Sequence, residues 1–309
     1  MTTTAMNIAD VLDTSILSGM LDAARARTLR YAAVLKGEQW LGPYLPIVNP
    51  PQWEIGHLGW FQEHWCLRHS SNGGLSASML DGADALYDSA KVAHATRWSL
   101  PLPTVDETLG YLERVLDVVK ARLKREGATP HLRYFVQLAV FHEDMHNEAF
   151  DYSLQTHGYA ASASMRKYEY AEPPVTGDAA ISGGRFQLGA QADQGDQGFV
   201  FDNEKWAHDV EVQPFHMSRT AATNEQFAAF VRDGGYSRRE LWCEPGWQWL
   251  SEHNVTAPLY WKVELNQILT KVHQAWLPLQ AQASVIHVNW YEAEAYCRWA
   301  QRRQPQNGA

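Results

Sequence analysis

Two histidines, His142 and His146, lie four residues apart in a stretch with the apolar pattern of a helix. At that spacing both side chains project from one helix face, where two imidazoles can chelate a single metal ion. The flanking residues Phe135, Leu138 and Phe141 are apolar, so we expect this face to point into the protein. A buried imidazole pair is costly unless something satisfies it, and a metal would do so. The alternative is a pair of exposed, solvated histidines.

A metal site needs a third ligand, and the best candidate is His57. It lies in an aromatic segment, with Trp53, Trp60 and Phe61 on neighbouring helical turns. Helix bundles build metal sites from ligands on facing helices. Two alternatives stay open. His57 is a core histidine bonded to a carbonyl, or His64, seven residues further on, is the ligand instead.

The carboxylates near the histidine pair are predicted to lie outside the ligand set. We expect Glu143 and Asp144 to be solvated, and Glu148 to have a structural or supporting role. Three histidines without a carboxylate leave coordination positions open. That arrangement suits a hydrolytic zinc ion, or a redox metal that binds substrate and dioxygen together, and spacing does not choose between them.

Four amphipathic helices are expected to hold these histidines. Asn49 is predicted to be an N-cap before two prolines, and Thr104 with Glu107 forms a capping-box pattern. Glycines follow the last two helices, as is typical of helix ends. The predicted helices cover residues 15–35, 50–73, 104–127 and 129–158. Together they predict a four-helix bundle over residues 1–160.

The texture of the sequence changes after the fourth helix. Residues 161–178 are small, polar and proline-containing, which indicates a linker. ISGGRFQLGA and HDVEVQPFHMS then predict short strands bounded by glycine and proline, and TNEQFAAFVRDGG predicts a short helix. Residues 179–309 are therefore expected to form a second, mixed domain, and the fold class of the chain is α+β.

Composition excludes several classes of function. A length of 309 residues favours two domains. The formal net charge of −9 argues against a nucleic-acid partner, because phosphate binding needs a basic face. No apolar run is long enough to span a membrane. Three cysteines and no secretory leader lead us to expect a cytoplasmic protein.

Both halves resemble parts of one known family. PPQWEIGHLGWFQEHW, followed later by FHEDMHNEAFDY, resembles the DinB-like bundle of the ergothioneine-pathway sulfoxide synthases. ISGGRFQLGA, FDNEKWAHDVEVQPFHMS, TNEQFAAFVRDGGY and VNWYEAEAYCRWA resemble a formylglycine-generating-enzyme-type domain, which is C-type-lectin-like. The two halves in this order are more specific than either alone. The resemblance implies a DinB-like four-helix bundle followed by a lectin-like domain.

The resemblance also implies a cofactor and a reaction. It implies a mononuclear non-haem Fe(II) held by His57, His142 and His146. Members of the family use O2 to join a sulfur or selenium donor to C2 of the imidazole of hercynine, trimethylhistidine, and leave a sulfoxide or selenoxide. The candidate substrate-binding residues are Met145, Arg97, Trp60 and Trp290.

Two departures from the family pattern concern the donor. The ergothioneine enzymes usually have a glutamine just before the last histidine, where this chain has Met145. Enzymes that use γ-glutamylcysteine carry paired arginines for its carboxylates, where this chain offers Arg97 with Lys91. Both departures, and the text WEIGHLGWFQEHW, favour the selenoneine synthase branch, whose selenosugar donor lacks such carboxylates.

The second half carries weaker signals. The chain ends RRQPQNGA where the family continues RLPTEAEWE, so the region of the usual catalytic tyrosine is expected to be absent and no catalytic acid or base is predicted. Trp206, Trp261 and Trp290 either cage a trimethylammonium group or pack the domain core. Cys243 and Cys297 lack the spacing of the copper-binding cysteine pair of formylglycine-generating enzymes.

Three alternative functions stay open. The first is a sulfoxide synthase that uses cysteine or γ-glutamylcysteine. The second is a zinc- or nickel-dependent DinB-like thiol transferase. The third is a non-catalytic binding protein.

Overall fold

The protein divides into two compact units. One unit is drawn from Met1–Arg166 with Gly189–Ala207, and the other from Lys167–Leu188 with His208–Ala309. The first is helical and the second combines helices with strands, which confirms the α+β fold class. The computed structural model describes residues 13–70, 73–160, 175–191, 199–265 and 267–301. Most of the predicted linker falls outside this part, so the boundaries at 160 and 179 stay predictions.

Four long helices and one short helix build the described part of the first unit. They are α1 (Thr14–Ala32), α2 (Pro51–Glu63), the short α3 (Ala83–Tyr87), α4 (Val105–Glu126) and α5 (Pro130–His157). Helix α1 packs mainly against α5, and α2 packs against α4 and α5. The long helices therefore form the predicted bundle. Its core includes Leu17, Leu21, Leu58, Tyr111, Val119, Val136, Phe150 and Leu154.

The predicted end signals of α4 and α5 are present. Thr104 and Glu107 form the capping box of α4, in which the Thr104 Oγ1 accepts from the Glu107 amide. Gly127 and Gly158 follow the two helices with φ of 74° and 66°. Glycine adopts these angles without the penalty that a Cβ would impose, so the chain can leave each helix there.

The start and end of α2 differ from expectation. Pro50 occupies the N-cap position, so the prediction that Asn49 is the cap was wrong. The Asn49 Oδ1 instead accepts a hydrogen bond of 2.6 Å from Arg97. The regular helix ends at Glu63 and continues as a π-helical turn, His64–Arg68, which ends before the predicted limit at residue 73.

Two glycines let neighbouring segments approach α2 closely. A Cβ on Gly56 would lie 2.3 Å from the ring of Tyr87, and one on Gly59 would lie 2.9 Å from the Leu112 side chain. Neither contact is possible for a larger residue without a shift. The close approach at Gly56 sets the end of α3 directly against α2.

A later segment of the chain also packs on the helical unit. Phe199 lies 5.1 Å from Tyr134 and 4.9 Å from Phe141, measured between ring centroids. The Lys205 ammonium lies 5.3 Å from the centre of the Tyr134 ring. These contacts add an aromatic layer to α5 next to His142.

The second unit has short antiparallel sheets and three described helices. Its strands are β1 (Asp178–Ile181), β2 (Gly184–Leu188), β3 (His208–Val212), β4 (Phe215–Ser218), β5 (Trp261–Val263), β6 (Ile268–Val272) and β7 (Ala275–Pro278). They pair as β1–β4, β2–β3 and β5–β6–β7, which confirms strands in the two predicted segments. Its helices are α6 (Asn224–Arg232), α7 (Glu244–His253) and α8 (Trp290–Trp299). Over the described residues, none of the helices has the length and apolar character to cross a membrane.

Candidate metal centre

Three imidazoles meet between α2 and α5. One nitrogen from each of His57, His142 and His146 can be chosen so that all three lie within 4.8 Å of one another. The Nε2 atoms of His57 and His142 are 3.2 Å apart. Two nitrogens bound to one metal at about 2.0–2.1 Å lie at a similar separation, so the spacing fits a single ion. Helix α2 supplies the first ring, and one face of α5 supplies the other two.

The proton of His57 is located by its hydrogen bond. Its Nδ1 lies 2.8 Å from the backbone carbonyl of Tyr87, which can only accept, so Nδ1 carries the proton. The Nε2 of the neutral ring therefore presents a lone pair to the other histidines. Trp53 and Trp60 both stack on this ring, at centroid distances of 5.1 and 5.7 Å. The ring is thus fixed in orientation and screened from water.

His146 has a charged partner. Its Nδ1 lies 2.5 Å from the Oε1 of Glu54, a residue that is buried one helical turn before His57. Since a carboxylate accepts, Nδ1 donates, and Nε2 is left to face the other two rings. Histidine ligands commonly donate their second ring N–H to a carboxylate or a carbonyl. Both versions of that support occur in this site.

His142 is held by stacking. Its ring lies on Phe61 with a centroid distance of 3.6 Å and an interplanar angle of 8°. Burial, followed by the neighbouring His146 and His57, lowers the pKa of His142 well below its usual range. Burial, followed by the charge of His146, lowers the pKa of His57 to about 3. Both rings are therefore neutral near pH 7 and can act as ligands.

The arrangement fits a metal ion on electrostatic grounds. It brings three imidazole nitrogens together and places the buried Glu54 carboxylate directly behind the ring of His146. A cation between the rings would use the lone pairs and offset the buried negative charge. His142 and His146 are less completely buried than His57.

The other candidate substrate residues have varied positions. Trp60 is buried on His57, and its Nε1 donates to Asp84. Arg97 stacks on Trp53 at 3.8 Å and donates to Asn49 and to the Val92 carbonyl. Met145, which lies between His142 and His146 in the chain, is 51% exposed.

Trp290 and His64 are not part of the histidine cluster. Trp290 is the first residue of α8 in the second unit, and its side chain is exposed. His64 lies in the π-helical turn and packs on Trp60 and Trp65. Of the two histidines considered as the third ligand, it is therefore His57 that lies beside the pair on α5.

The prediction that Glu143 is solvated was wrong. Glu143 is buried and accepts two hydrogen bonds from the guanidinium of Arg25 and one from the hydroxyl of Thr28. The Asp144 side chain is partly exposed, but it forms an ion pair with Arg27 and is not freely solvated. The partners sit on α1, and nothing in the local sequence of α5 indicates which residues α1 places opposite.

Sequence reasoning missed two supporting residues, Glu54 and Tyr87. The position of Glu54, three residues before His57, was a usable signal, because residues at that spacing share one helix face. The Tyr87 carbonyl had no comparable signal. It reaches His57 only because Gly56 admits the close approach of α3.

Comparison with known proteins matches each half of the chain. The family model of the DinB superfamily matches residues 20–149, and that of the sulfatase-modifying factor enzyme 1-like domain matches residues 164–308. The second match includes all described residues of the second unit.

Several curated proteins are similar over much of the chain. A hercynine oxygenase of Mycobacterium tuberculosis is 32% identical over 293 residues, which is 92% of this chain and 66% of that protein. A hercynine oxygenase of Mycolicibacterium thermoresistibile is 32% identical over 292 residues, covering 94% and 64% of the two chains. A formylglycine-generating enzyme of Streptomyces coelicolor is 31% identical over 150 residues, covering 44% and 46%. The chain thus spans slightly less than two thirds of the length of the hercynine oxygenases that it matches. The chain thus joins a DinB-superfamily domain to a sulfatase-modifying factor enzyme 1-like domain, in the order that the motifs indicate.

Proposed function

We propose that the protein uses a mononuclear Fe(II) and O2 to form a carbon–selenium or carbon–sulfur bond at C2 of the imidazole of hercynine. The observation that carries the proposal is the convergence of His57, His142 and His146, which we take as the iron ligands. The similarity to proteins named hercynine oxygenase supports hercynine as the substrate and O2 as the oxidant. The chain spans slightly less than two thirds of the length of those relatives, so their activity comes to this chain as a proposal.

The proposed reaction balances as a four-electron oxidation. Hercynine loses the hydrogen on C2, the selenol or thiol donor loses its hydrogen, and a carbon–chalcogen bond forms. One oxygen atom of O2 ends in the selenoxide or sulfoxide and the other in water. His57, His142 and His146 would hold the Fe(II), which would supply open coordination positions for the reactants, so that much of the rate enhancement would be an effect of proximity.

The residues of this chain hold the centre in a fixed geometry. Tyr87 and Glu54 each accept the Nδ1 proton of one ligand, so both rings present Nε2. The rings of Trp53 and Trp60 stack on His57, and the ring of Phe61 stacks on His142, so aromatic side chains cover two of the proposed ligands. Met145, which precedes His146 in the chain, is exposed.

We favour a selenosugar as the donor. Arg97 already donates from both terminal nitrogens, to Asn49 and to the Val92 carbonyl, and it lies flat on Trp53. Lys91 is paired with Asp88. These engagements support a donor without carboxylates. A thiol donor such as cysteine or γ-glutamylcysteine is the second candidate, because the mycobacterial hercynine oxygenases are similar along almost the whole chain.

The test is a reaction with defined components. The protein is loaded anaerobically with Fe(II), supplied with hercynine and one donor, and then exposed to O2. Oxygen consumption is followed by electrode and the product by mass spectrometry. We expect a selenoxide with the selenosugar and one O2 consumed per product. Product from the thiol donors alone would refute the donor proposal, and product formed without O2, or with zinc or nickel only, would refute the oxidative mechanism.

A matched pair of histidine variants tests the ligands. His142→Ala removes one proposed ligand, and we expect iron binding to be lost while the helical circular dichroism is kept. His64→Ala removes a neighbouring histidine outside the cluster and should retain iron. Iron content after desalting measures both, and full iron occupancy in His142→Ala would contradict the ligand assignment.

A further inference from the structure

The three histidines of the centre have three different supports. His57 donates to a neutral backbone carbonyl, His142 stacks on an aromatic ring, and His146 donates to the carboxylate of Glu54. The hydrogen bond from His146 to Glu54, at 2.5 Å, is shorter than the one from His57 to the Tyr87 carbonyl, at 2.8 Å. An acceptor with a full negative charge pulls on the Nδ1 proton more strongly than a carbonyl does, so it makes Nε2 of the same ring a better electron donor.

Glu54 is a buried carboxylate that lacks a lysine or arginine partner among the described residues. Its side chain is 3% exposed. The nearby Arg97 is held by Asn49, Val92 and Trp53 instead. A buried carboxylate whose partner is a histidine, and not a permanent cation, destabilises the metal-free protein. A divalent cation bound through that histidine would offset this cost.

We propose that Glu54 is a positioning residue for the metal, which acts through His146 by fixing its ring, strengthening its Nε2 as a ligand and supplying the anion that a bound cation neutralises. This inference rests on the proposed function, because it assumes that the three histidines hold a metal. It concerns the tightness of the metal site, and it assigns Glu54 no contact with substrate.

Removal of the Glu54 charge should affect metal binding and the stability of the metal-free protein differently. Glu54→Gln keeps an oxygen that can accept from the His146 Nδ1 but removes the charge. Metal binding should weaken because the ligand and the local potential both change. The metal-free protein should not be destabilised, because a buried charge has been removed.

A second buried glutamate on the same helix provides the control. Glu63 is 1% exposed in α2 and accepts from the Tyr111 hydroxyl, the Ser78 hydroxyl and the Met79 amide. Glu63→Gln therefore also replaces a buried carboxylate by an amide, but away from the histidines. It should lower the stability of the metal-free protein and leave the metal affinity nearly unchanged.

The experiment uses Co(II) as the probe, since its visible absorption reports the ligand field directly. The full chain is titrated with Co(II) against a chelator, and urea unfolding is measured on the metal-free protein. We expect Glu54→Gln to weaken Co(II) binding by about ten- to a hundredfold and to shift the absorption bands. We expect wild-type affinity and spectrum in Glu63→Gln.

The possible results separate the two proposals. If Glu54→Gln binds Co(II) with wild-type affinity and spectrum, the role of Glu54 is refuted and the metal site stands. The role is also refuted if both variants lose affinity and stability alike, because that pattern is expected of a structural residue. If the wild-type protein binds no Co(II), the proposed metal centre fails and the inference fails with it.

Discussion

His57 is neutral in the folded protein because of where its ring lies. It is 3% exposed, it stacks on two indoles, and its Nδ1 donates a hydrogen bond to a backbone carbonyl. Burial is the main reason that its pKa falls from 6.5 to about 3, and His142 shifts in the same direction. A single residue thus couples the stability of the metal-free protein to pH.

The sign of that coupling is definite. Between pH 6.5 and 3 the unfolded chain binds a proton at residue 57 and the folded chain does not, so stability falls as the pH falls. At pH 5 the loss from His57 is about 2 kcal/mol relative to pH 7. Urea unfolding of the metal-free protein at the two pH values, followed by the helical signal, measures it. His57→Gln should show a shallower pH dependence, and an unchanged dependence in this variant would contradict the mechanism.

Helix α2 is the element on which the site depends. It carries Glu54 and His57 on adjacent turns, and Gly56 leaves room for the ring of Tyr87. The same contact brings the Tyr87 carbonyl within 2.8 Å of His57. Helix α2 therefore provides one proposed ligand, His57, and the carboxylate that accepts from another, His146. Through Gly56 it also determines where α3 packs.

Replacement of Gly56 should disturb all of this. In Gly56→Ala the new Cβ would lie 2.3 Å from Tyr87, so α3 must move away. We expect a loss of about 1–3 kcal/mol in stability, as in other overpacked cores, together with weaker Co(II) binding. The control is Gly19→Ala, at an exposed position of α1 with no atom near the new Cβ, where we expect a gain of about 0.5–1 kcal/mol. Equal effects of the two variants on unfolding would contradict the steric explanation.

At the scale of the whole molecule, one buried arginine links the four long helices of the first unit. Arg25 of α1 donates to Glu143 on α5, Gln62 on α2 and the Leu112 carbonyl on α4. Glu143 directly follows the proposed ligand His142 in the chain. The network therefore fixes the register of α5, on which the geometry of the metal centre depends.

Arg25→Met is expected to destabilise the protein by about 3–5 kcal/mol, because it leaves the Glu143 carboxylate buried without its cation. The neighbouring pair Arg27–Asp144 joins the same two helices, but its side chains are 36% and 37% exposed. Arg27→Met should therefore cost less than about 1 kcal/mol. Urea unfolding compares the two variants, and similar losses would show that the burial of the pair does not matter.

The sequence was sufficient for what depends on local pattern. Helical periodicity and caps predicted all four long helices and three of them to within a few residues, whereas α2 ends ten residues before its predicted limit. The spacing of His142 and His146, with the aromatic setting of His57, predicted which rings meet. Contacts across the bundle were not predictable in the same way. The partner of Glu143 and the carbonyl that accepts from His57 depend on how the helices pack. The residues next to Glu143 and His57 in the sequence do not indicate that packing.

The dense use of α2 has a consequence for protein design. A designer who wished to move this centre into another bundle could not transplant three histidines alone. The nine residues from Trp53 to Phe61 supply a proposed ligand, a buried carboxylate, two indoles and the glycine that admits Tyr87. They would have to be transferred together. The host would also need a segment that packs against the glycine and presents a backbone carbonyl to the histidine.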